Sequence, residues 1–218
     1  MLAIIAAMKK EADVLLGQSV TEPPRNLYGK EITYGKFKGV PYTLILSGVG
    51  KSNAAAAAML ALSLGANRIV NIGVAGGLTQ KAKIGKVLQI CRAVQFDFDL
   101  SMINHTPVGT LDEYTSPYFP LETRTTAFLP ATLATADRFG CGHADDALLK
   151  ALGADVRDME GAAIAHIAFA AGVPCFAFKA ISDNAGENSP REYSENLQTA
   201  LSALSDALPD IFSEVSHE

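Results

Sequence analysis

Three acidic residues stand where an α/β chain places its chemistry. Glu11 follows the apolar run Leu2-Ala3-Ile4-Ile5-Ala6, and Asp183 ends Ala180-Ile181-Ser182-Asp183 after a second apolar run. Glu160 enters at the start of a helix pattern, after a presumed strand through Val156. In open α/β sheets ligands bind at the carboxyl ends of strands. Residues 47–51 and 74–77, both rich in glycine, also fall at such ends. The expectation is one pocket holding Glu11, Glu160 and Asp183. Carboxyl groups gathered in this way can give and take protons, with affinities set by burial and neighbouring charge. Taken singly, each acid is better explained as a cap, a turn or a surface charge. Their convergence makes the candidate site.

Other motifs carry less. Gly50-Lys51-Ser52 resembles the end of a phosphate-binding loop, but that motif needs glycine five residues earlier, where Ile45 stands. The adjacent pair Gly76-Gly77 is no dinucleotide fingerprint either. These glycines read as tight turns that let backbone approach a ligand. Cys91, Cys141 and Cys175 lack the spacing of a disulfide framework or a zinc site. The four histidines are scattered and read as structural or exposed. The chain is therefore expected to use no metal and no cofactor, and to reside in a reducing cytoplasm.

The elements that must position the acids follow from composition and pattern. The chain has 218 residues, 49% hydrophobic and 19% charged, which suits one α/β domain over 1–218 rather than a disordered chain. A net charge of -5 and the lack of a large Lys/Arg cluster argue against a nucleic-acid partner. Lys81, Lys83 and Lys86, spaced around Gly85, read as a solvated edge. The apolar start is too short for a signal peptide, and no stretch of about 20 uncharged apolar residues would span a membrane.

Strand and helix patterns alternate. Strands are predicted over 2–6, 31–36, 40–46, 68–72, 87–96 and 175–181. Helices are predicted over 9–17 and about 52–64. Val74-Ala75-Gly76-Gly77 is read as a turn after a strand, and residues 97–122 as a long loop. Asp158 is expected to cap a helix running from Met159 to about Ala171, stopped by Gly172. Ser189-Pro190-Arg191-Glu192 has the order of a helix start, and Pro209 is expected to kink or end that helix.

Several of these segments together resemble a known family. Ala6-Ala7-Met8-Lys9-Lys10-Glu11, Ser47-Gly48-Val49-Gly50-Lys51, Asn71-Ile72-Gly73-Val74-Ala75-Gly76-Gly77, Asp158-Met159-Glu160-Gly161-Ala162 and Ala180-Ile181-Ser182-Asp183 resemble the 5'-methylthioadenosine/S-adenosylhomocysteine nucleosidases. They come in family order and at family-like spacing, from residue 2 to about 210. The resemblance implies a central mixed, twisted β-sheet flanked by helices, as in the phosphorylases and hydrolases of the wider superfamily. It implies hydrolysis of an N-glycosidic bond without a cofactor.

Residue by residue, Asp183 matches the acid that protonates the departing purine at N7. Glu11 matches the base that activates water, and Glu160 the carboxylate that binds the ribose hydroxyls. The start of a helix would favour the ionised form of Glu160. Phe139 matches the aromatic residue stacked on adenine, and the Gly140 backbone would read the base edge. Met8, Val49, Met159 and Tyr193 match positions around the ribose and its 5' group, an apolar lining that would select a thioether over a hydroxyl. Val74, Gly76 and Ser182 belong to the same segments, Lys179 stands just before the last of them, and all four are candidate substrate contacts. Residues 96–120 match a region that reaches a partner subunit's site, so a homodimer is implied. Val74 stands where Ser or Thr is usual, Lys179 where Arg is usual, and Phe96-Asp97-Phe98-Asp99-Leu100 where a His-containing acidic segment is usual. Phosphate-dependent phosphorolysis and futalosine hydrolysis are the sibling alternatives. Asn71 stands where phosphorylases tend to carry a basic residue.

Overall fold

The computed structural model describes residues 1–124, 127–140, 143–186 and 188–216. Cys141 and His217 lie outside the described residues. The chain order is β1 (Leu2–Ala6), α1 (Lys9–Leu16), β2 (Val20–Thr21), β3 (Arg25–Leu27), β4 (Lys30–Phe37), β5 (Val40–Leu46), α2 (Lys51–Ser63), β6 (Arg68–Gly77) and β7 (Val87–Gln95). It continues with α3 (Ser101–Asn104), β8 (Tyr118–Pro120), β9 (Leu129–Thr135), α4 (Asp146–Ala151), β10 (Val156–Asp158), α5 (Gly161–Ala170), β11 (Cys175–Asp183) and α6 (Ser189–Ser216).

The strands form one mixed sheet in the order β10-β9-β7-β11-β6-β1-β5-β4-β2, with β3 on β4 and β8 on β7. Its middle is parallel, β1 pairing with β5 and β6, and β6 with β11. The sheet also closes on itself. Strand β10 runs parallel to β9 and antiparallel to the end of β6, where Arg157 faces Gly76 and Val156 faces Gly77. Closure leaves no free edge on that side.

Strand residues alternate between two cores. Ala3 and Ile5 face α2 and α5, while Ile4 and Ala6 face α1 and α6. In β11, Cys175 and Ala177 go one way, Phe176 and Phe178 the other. Helices cover both faces, so the strands read as unbroken apolar runs rather than alternating ones.

Several sequence expectations change. Residues 74–77 are no turn: β6 runs on through Gly77, because β11 and β10 supply backbone partners for that stretch. Residues 97–122 are not loop throughout, since they hold α3 and a short β8 paired to β7. Asp158 ends a strand, and α5 begins two residues later than predicted, at Gly161. Even so, Asp158 Oδ2 accepts the Gly161 N–H at 2.9 Å, a capping bond made from one turn away. At the start of α6, Glu192 reaches back to the Asn184 N–H at 2.8 Å, and the Ser189 hydroxyl has no partner among the described residues.

Pro209 does not end α6, which continues to Ser216. Proline removes one N–H and frees the carbonyl four residues back. That carbonyl belongs to Ser205, and the Gln18 side-chain amide lies 3.4 Å from it while bonding the Ser205 hydroxyl at 2.8 Å. Beyond the proline, Ile211, Phe212 and Val215 are buried. Phe212 packs at a tilt against Phe37, ring centres 4.5 Å apart, and meets Tyr42 edge-on at 5.9 Å. Packing thus outweighs the local preference to stop. Phe212→Ala should therefore cost about 3–5 kcal/mol of unfolding free energy by urea titration. A loss under about 1 kcal/mol would mean that the segment after Pro209 contributes little to the core.

Candidate active site

The ends of β1, β5, β6 and β11 meet the ends of β9 and β10 around a cavity of about 230 Å³. Because β9 and β10 run against β6, the residues after them enter from the opposite direction. Glu11, Glu160 and Asp183 all line this cavity. So do Met8, Val49, Val74 and Gly76 on one side, Phe139, Gly140 and Met159 on another, with Ser182 and Tyr193.

Glu11 sits in the first turn of α1, just beyond β1, and is buried. Its Oε2 accepts the Ala7 and Met8 N–H groups at 3.1 and 2.9 Å, and its Oε1 accepts the Val74 N–H at 2.8 Å. A carboxylate offers about four acceptor positions, so one remains, on Oε1. The approach of Glu11 to β6 is close enough that a Cβ on Gly73 would lie 2.5 Å from Oε1. Burial raises the Glu11 pKa, against the lowering effects of Lys179 and the three N–H bonds. The Val74 contact is a backbone bond, so the valine side chain does not weaken it.

Glu160 precedes α5 and accepts the Gly50 N–H at 2.8 Å. Gly50 holds φ at 98°, a left-handed conformation that glycine adopts without steric cost and that turns this N–H toward the carboxylate. The pKa of Glu160 rises to about 7, through burial first and then the charge of Asp158, offset in part by Lys179 and the Gly50 bond. The expectation that a helix start would keep this acid readily ionised is therefore corrected. A helix terminus contributes about 0.3–1 kcal/mol at exposed sites, less than the desolvation of a buried carboxylate.

Asp183 owes its aim to a bulge. Between Ile181 and Asp183 the register of β11 on β6 slips, so that Ser182 is the extra residue. A bulge re-aims the side chain beside it. Asp183 Oδ1 then accepts the Ala185 N–H at 2.9 Å, and Oδ2 accepts the Ser182 hydroxyl at 2.9 Å. Both oxygens are held, so the carboxyl plane is fixed.

Lys179 is a correction. It does not line the cavity but lies behind it, buried, with its Nζ 2.9 Å from Asp158 Oδ2. Burial works against its charge, but Asp158, Glu160 and Glu11 together outweigh that and raise its pKa. Asp158 is a fourth carboxylate, read from sequence only as a cap. Thr135 donates to its Oδ1 at 2.6 Å. A signal was available: a lysine inside Phe176-Ala177-Phe178-Lys179-Ala180-Ile181 needs a buried counter-charge. Arg138 and Arg157 also line the cavity unpredicted. Asp145 holds Arg138 at 2.7 Å and Arg157 at 3.6 Å, and both guanidiniums lie 5.2 Å from the Phe96 ring centre.

The apolar wall is open to solvent at Val49 and Phe139, which are 48% and 44% exposed. Phe139 meets the Tyr193 ring edge-on at 5.8 Å. Among the described residues, no group of three or more His, Cys, Asp or Glu side chains could hold a metal ion. Also among these residues, no helix is long and apolar enough to cross a membrane. The Cys175 thiol is pushed up to about 12 by burial, far from a reactive thiolate.

Known proteins share this arrangement of chain. An aminodeoxyfutalosine nucleosidase of Campylobacter jejuni is 29% identical over 89% of this chain and 90% of its own. A 5'-methylthioadenosine/S-adenosylhomocysteine nucleosidase of a Marinomonas species is 27% identical over 91% of this chain and 92% of its own. Among solved structures, the nucleosidase of that name from Helicobacter pylori, bound to butyl-thio-DADMe-Immucillin-A, superposes with a TM-score of 0.89 at 25% identity, covering 98% and 97% of the two chains. The futalosine hydrolase of Helicobacter pylori superposes with a TM-score of 0.90 at 24% identity over the same shares, a likeness of fold. The sequence model of the Phosphorylase superfamily matches residues 1–214, and the chain belongs to that superfamily.

Proposed function

We propose that this chain is a nucleosidase that hydrolyses the N-glycosidic bond of 5'-methylthioadenosine and S-adenosylhomocysteine, with 5'-deoxyadenosine as a further substrate. The observation that carries this reading is the meeting of Glu11, Glu160 and Asp183 in one cavity beside the Phe139–Tyr193 aromatic pair. The relatives named as nucleosidases support the same reaction class.

In this reading the purine stacks on Phe139, against Gly140 and Gly76, and Asp183 gives a proton to N7. The bond from N9 to the ribose then breaks, its electron pair leaving with a neutral base. The ribose carbon becomes cation-like. Water held on Glu11 Oε1 adds to that carbon, and Glu11 takes its proton. Glu160 accepts hydrogen bonds from the ribose hydroxyls, and its charge favours the cationic transition state. Lys179 sets the charge beneath the site without touching substrate, acting through Asp158, which itself lines the cavity. The overall reaction consumes one water and yields adenine and a free sugar, the two-carboxylate logic of inverting glycoside hydrolysis.

Phosphorolysis fits less well. Asn71, the position of interest for phosphate, donates to the Ile5 carbonyl at 3.1 Å inside the core and does not line the cavity. The carboxylate of Glu11 would repel phosphate where water must sit. A futalosine-type substrate is the second reading, favoured by the aminodeoxyfutalosine nucleosidase among the relatives. The exposed Met102 and Ile103 in α3 support a homodimer formed through residues 96–120, and we place the enzyme in the cytoplasm.

Adenine release from methylthioadenosine should run equally fast with and without phosphate, with free 5-methylthioribose as the second product. Appearance of a sugar phosphate would overturn hydrolysis, and a panel including aminodeoxyfutalosine ranks the two substrate readings. Asp183→Asn should lose turnover by about 10²–10⁴-fold while keeping its unfolding transition, since it removes the acid and little else. Glu11→Gln should bind methylthioadenosine in calorimetry but hydrolyse it at least about 10²-fold more slowly; a near-wild-type rate removes Glu11 as the base. The pH dependence follows from Glu160. Its ionised form dominates above its raised pKa of about 7 and is lost as pH falls. The value of kcat/KM should therefore decline below about pH 7, and the corresponding limb should vanish in Glu160→Gln, which will itself be slow.

A further inference from the structure

We propose that Tyr193 determines specificity at the 5' arm, its phenolic hydroxyl receiving an uncharged oxygen so that 5'-hydroxy nucleosides are taken alongside 5'-thio ones. The inference rests on the nucleosidase reading and refines its substrate class.

Tyr193 is the fifth residue of α6, lines the cavity and is half-buried. Its hydroxyl donates to the Met8 thioether sulfur at 3.4 Å. A thioether is a weak acceptor, so the phenol is not committed to Met8, and an oxygen from a ligand is the better acceptor for its proton. Ser182, the other neutral hydroxyl on the cavity wall, already donates to Asp183. The edge-on contact with Phe139 at 5.8 Å and 80° restrains the Tyr193 ring, so the hydroxyl stays beside Met8. Met8 in turn donates its N–H to Glu11. The phenol therefore sits next to the residue that anchors the proposed base, on the side assigned to the ribose and its 5' arm.

Charge decides which oxygen fits. Burial and then Glu11, Asp183 and Glu160 raise the Tyr193 pKa, so the phenol is a donor throughout the neutral range. The ionised forms of Glu11 and Glu160 oppose an arm of net negative charge on the ligand. The neutral hydroxyl of an unmodified nucleoside is thus favoured over an acidic arm. The apolar lining expected to exclude such a hydroxyl holds at Met8, Val49 and Met159 and stops at Tyr193.

The test compares adenosine, methylthioadenosine and adenosine 5'-carboxylate with the wild-type chain, Tyr193→Phe and Met8→Leu. In Tyr193→Phe the ratio of kcat/KM for adenosine to that for methylthioadenosine should fall about tenfold, mostly through KM. Met8→Leu removes the competing sulfur and should move the ratio the other way. An unchanged ratio in Tyr193→Phe overturns the proposal, as does a wild-type preference for the carboxylate that this variant abolishes. Calorimetric binding of adenosine and methylthioadenosine reads the same ratio without turnover. A wild-type chain that binds both but hydrolyses neither would therefore sink the nucleosidase reading while still deciding the role of Tyr193.

Discussion

A carboxylate taken out of water must be hydrogen-bonded, paired or neutralised, and four of them share one end of this sheet. Each meets that constraint differently. Asp158 is paired with Lys179 at 2.9 Å and bonded by Thr135 and the Gly161 N–H. Glu11 is surrounded by three backbone N–H groups. Asp183 is held by Ser182 and Ala185. Glu160 has the Gly50 N–H and takes the remaining mismatch as a pKa near 7. Removing one partner of a fully buried ion pair costs about 3–5 kcal/mol. The charge of Lys179 also reaches Glu11 and Glu160 and favours their ionised forms.

That constraint explains why the sheet closes. A parallel sheet alone would bring together the loops after β1, β5, β6 and β11. The pairing of β10 with the end of β6 brings in Asp158, Glu160 and, through β9, Phe139 and Gly140. Acidic groups thus meet an aromatic wall that reached the cavity along strands of opposite direction. Gly76, read from sequence as part of a turn, acts here as a spacer, and so does Gly73. Gly73 and Gly76 leave room for Glu11 and Asp183 to lie against β6.

The division of labour proposed for the cavity agrees with its surroundings. The acid assigned to the purine is locked in plane by two donors. The one assigned to water keeps a single free acceptor position on Oε1. The one assigned to the ribose has the fewest protein bonds, which leaves it capacity for two hydroxyls. Lys179 supplies a compact charge rather than a planar fork, and it spends that charge from behind the cavity on Asp158, which lines it.

Much was legible in the residue order. The apolar runs over 2–6, 40–46 and 175–181, the glycine stops and the three acids at or just past strand ends follow from short-range chemistry. So did the superfamily, because its segments are contiguous. What could not be read depended on partners far along the chain. Residues 74–77 became strand because β10 and β11 arrive beside them, and α6 passed Pro209 because Gln18 and the aromatic pair of Phe37 and Tyr42 wait there. Asp158 changed from a helix cap to a buried counter-ion once Lys179 lay next to it. Glu160 lost its expected ease of ionisation for the same kind of reason. Desolvation and pairing depend on distances across the sheet, and those distances exist only when the chain has closed.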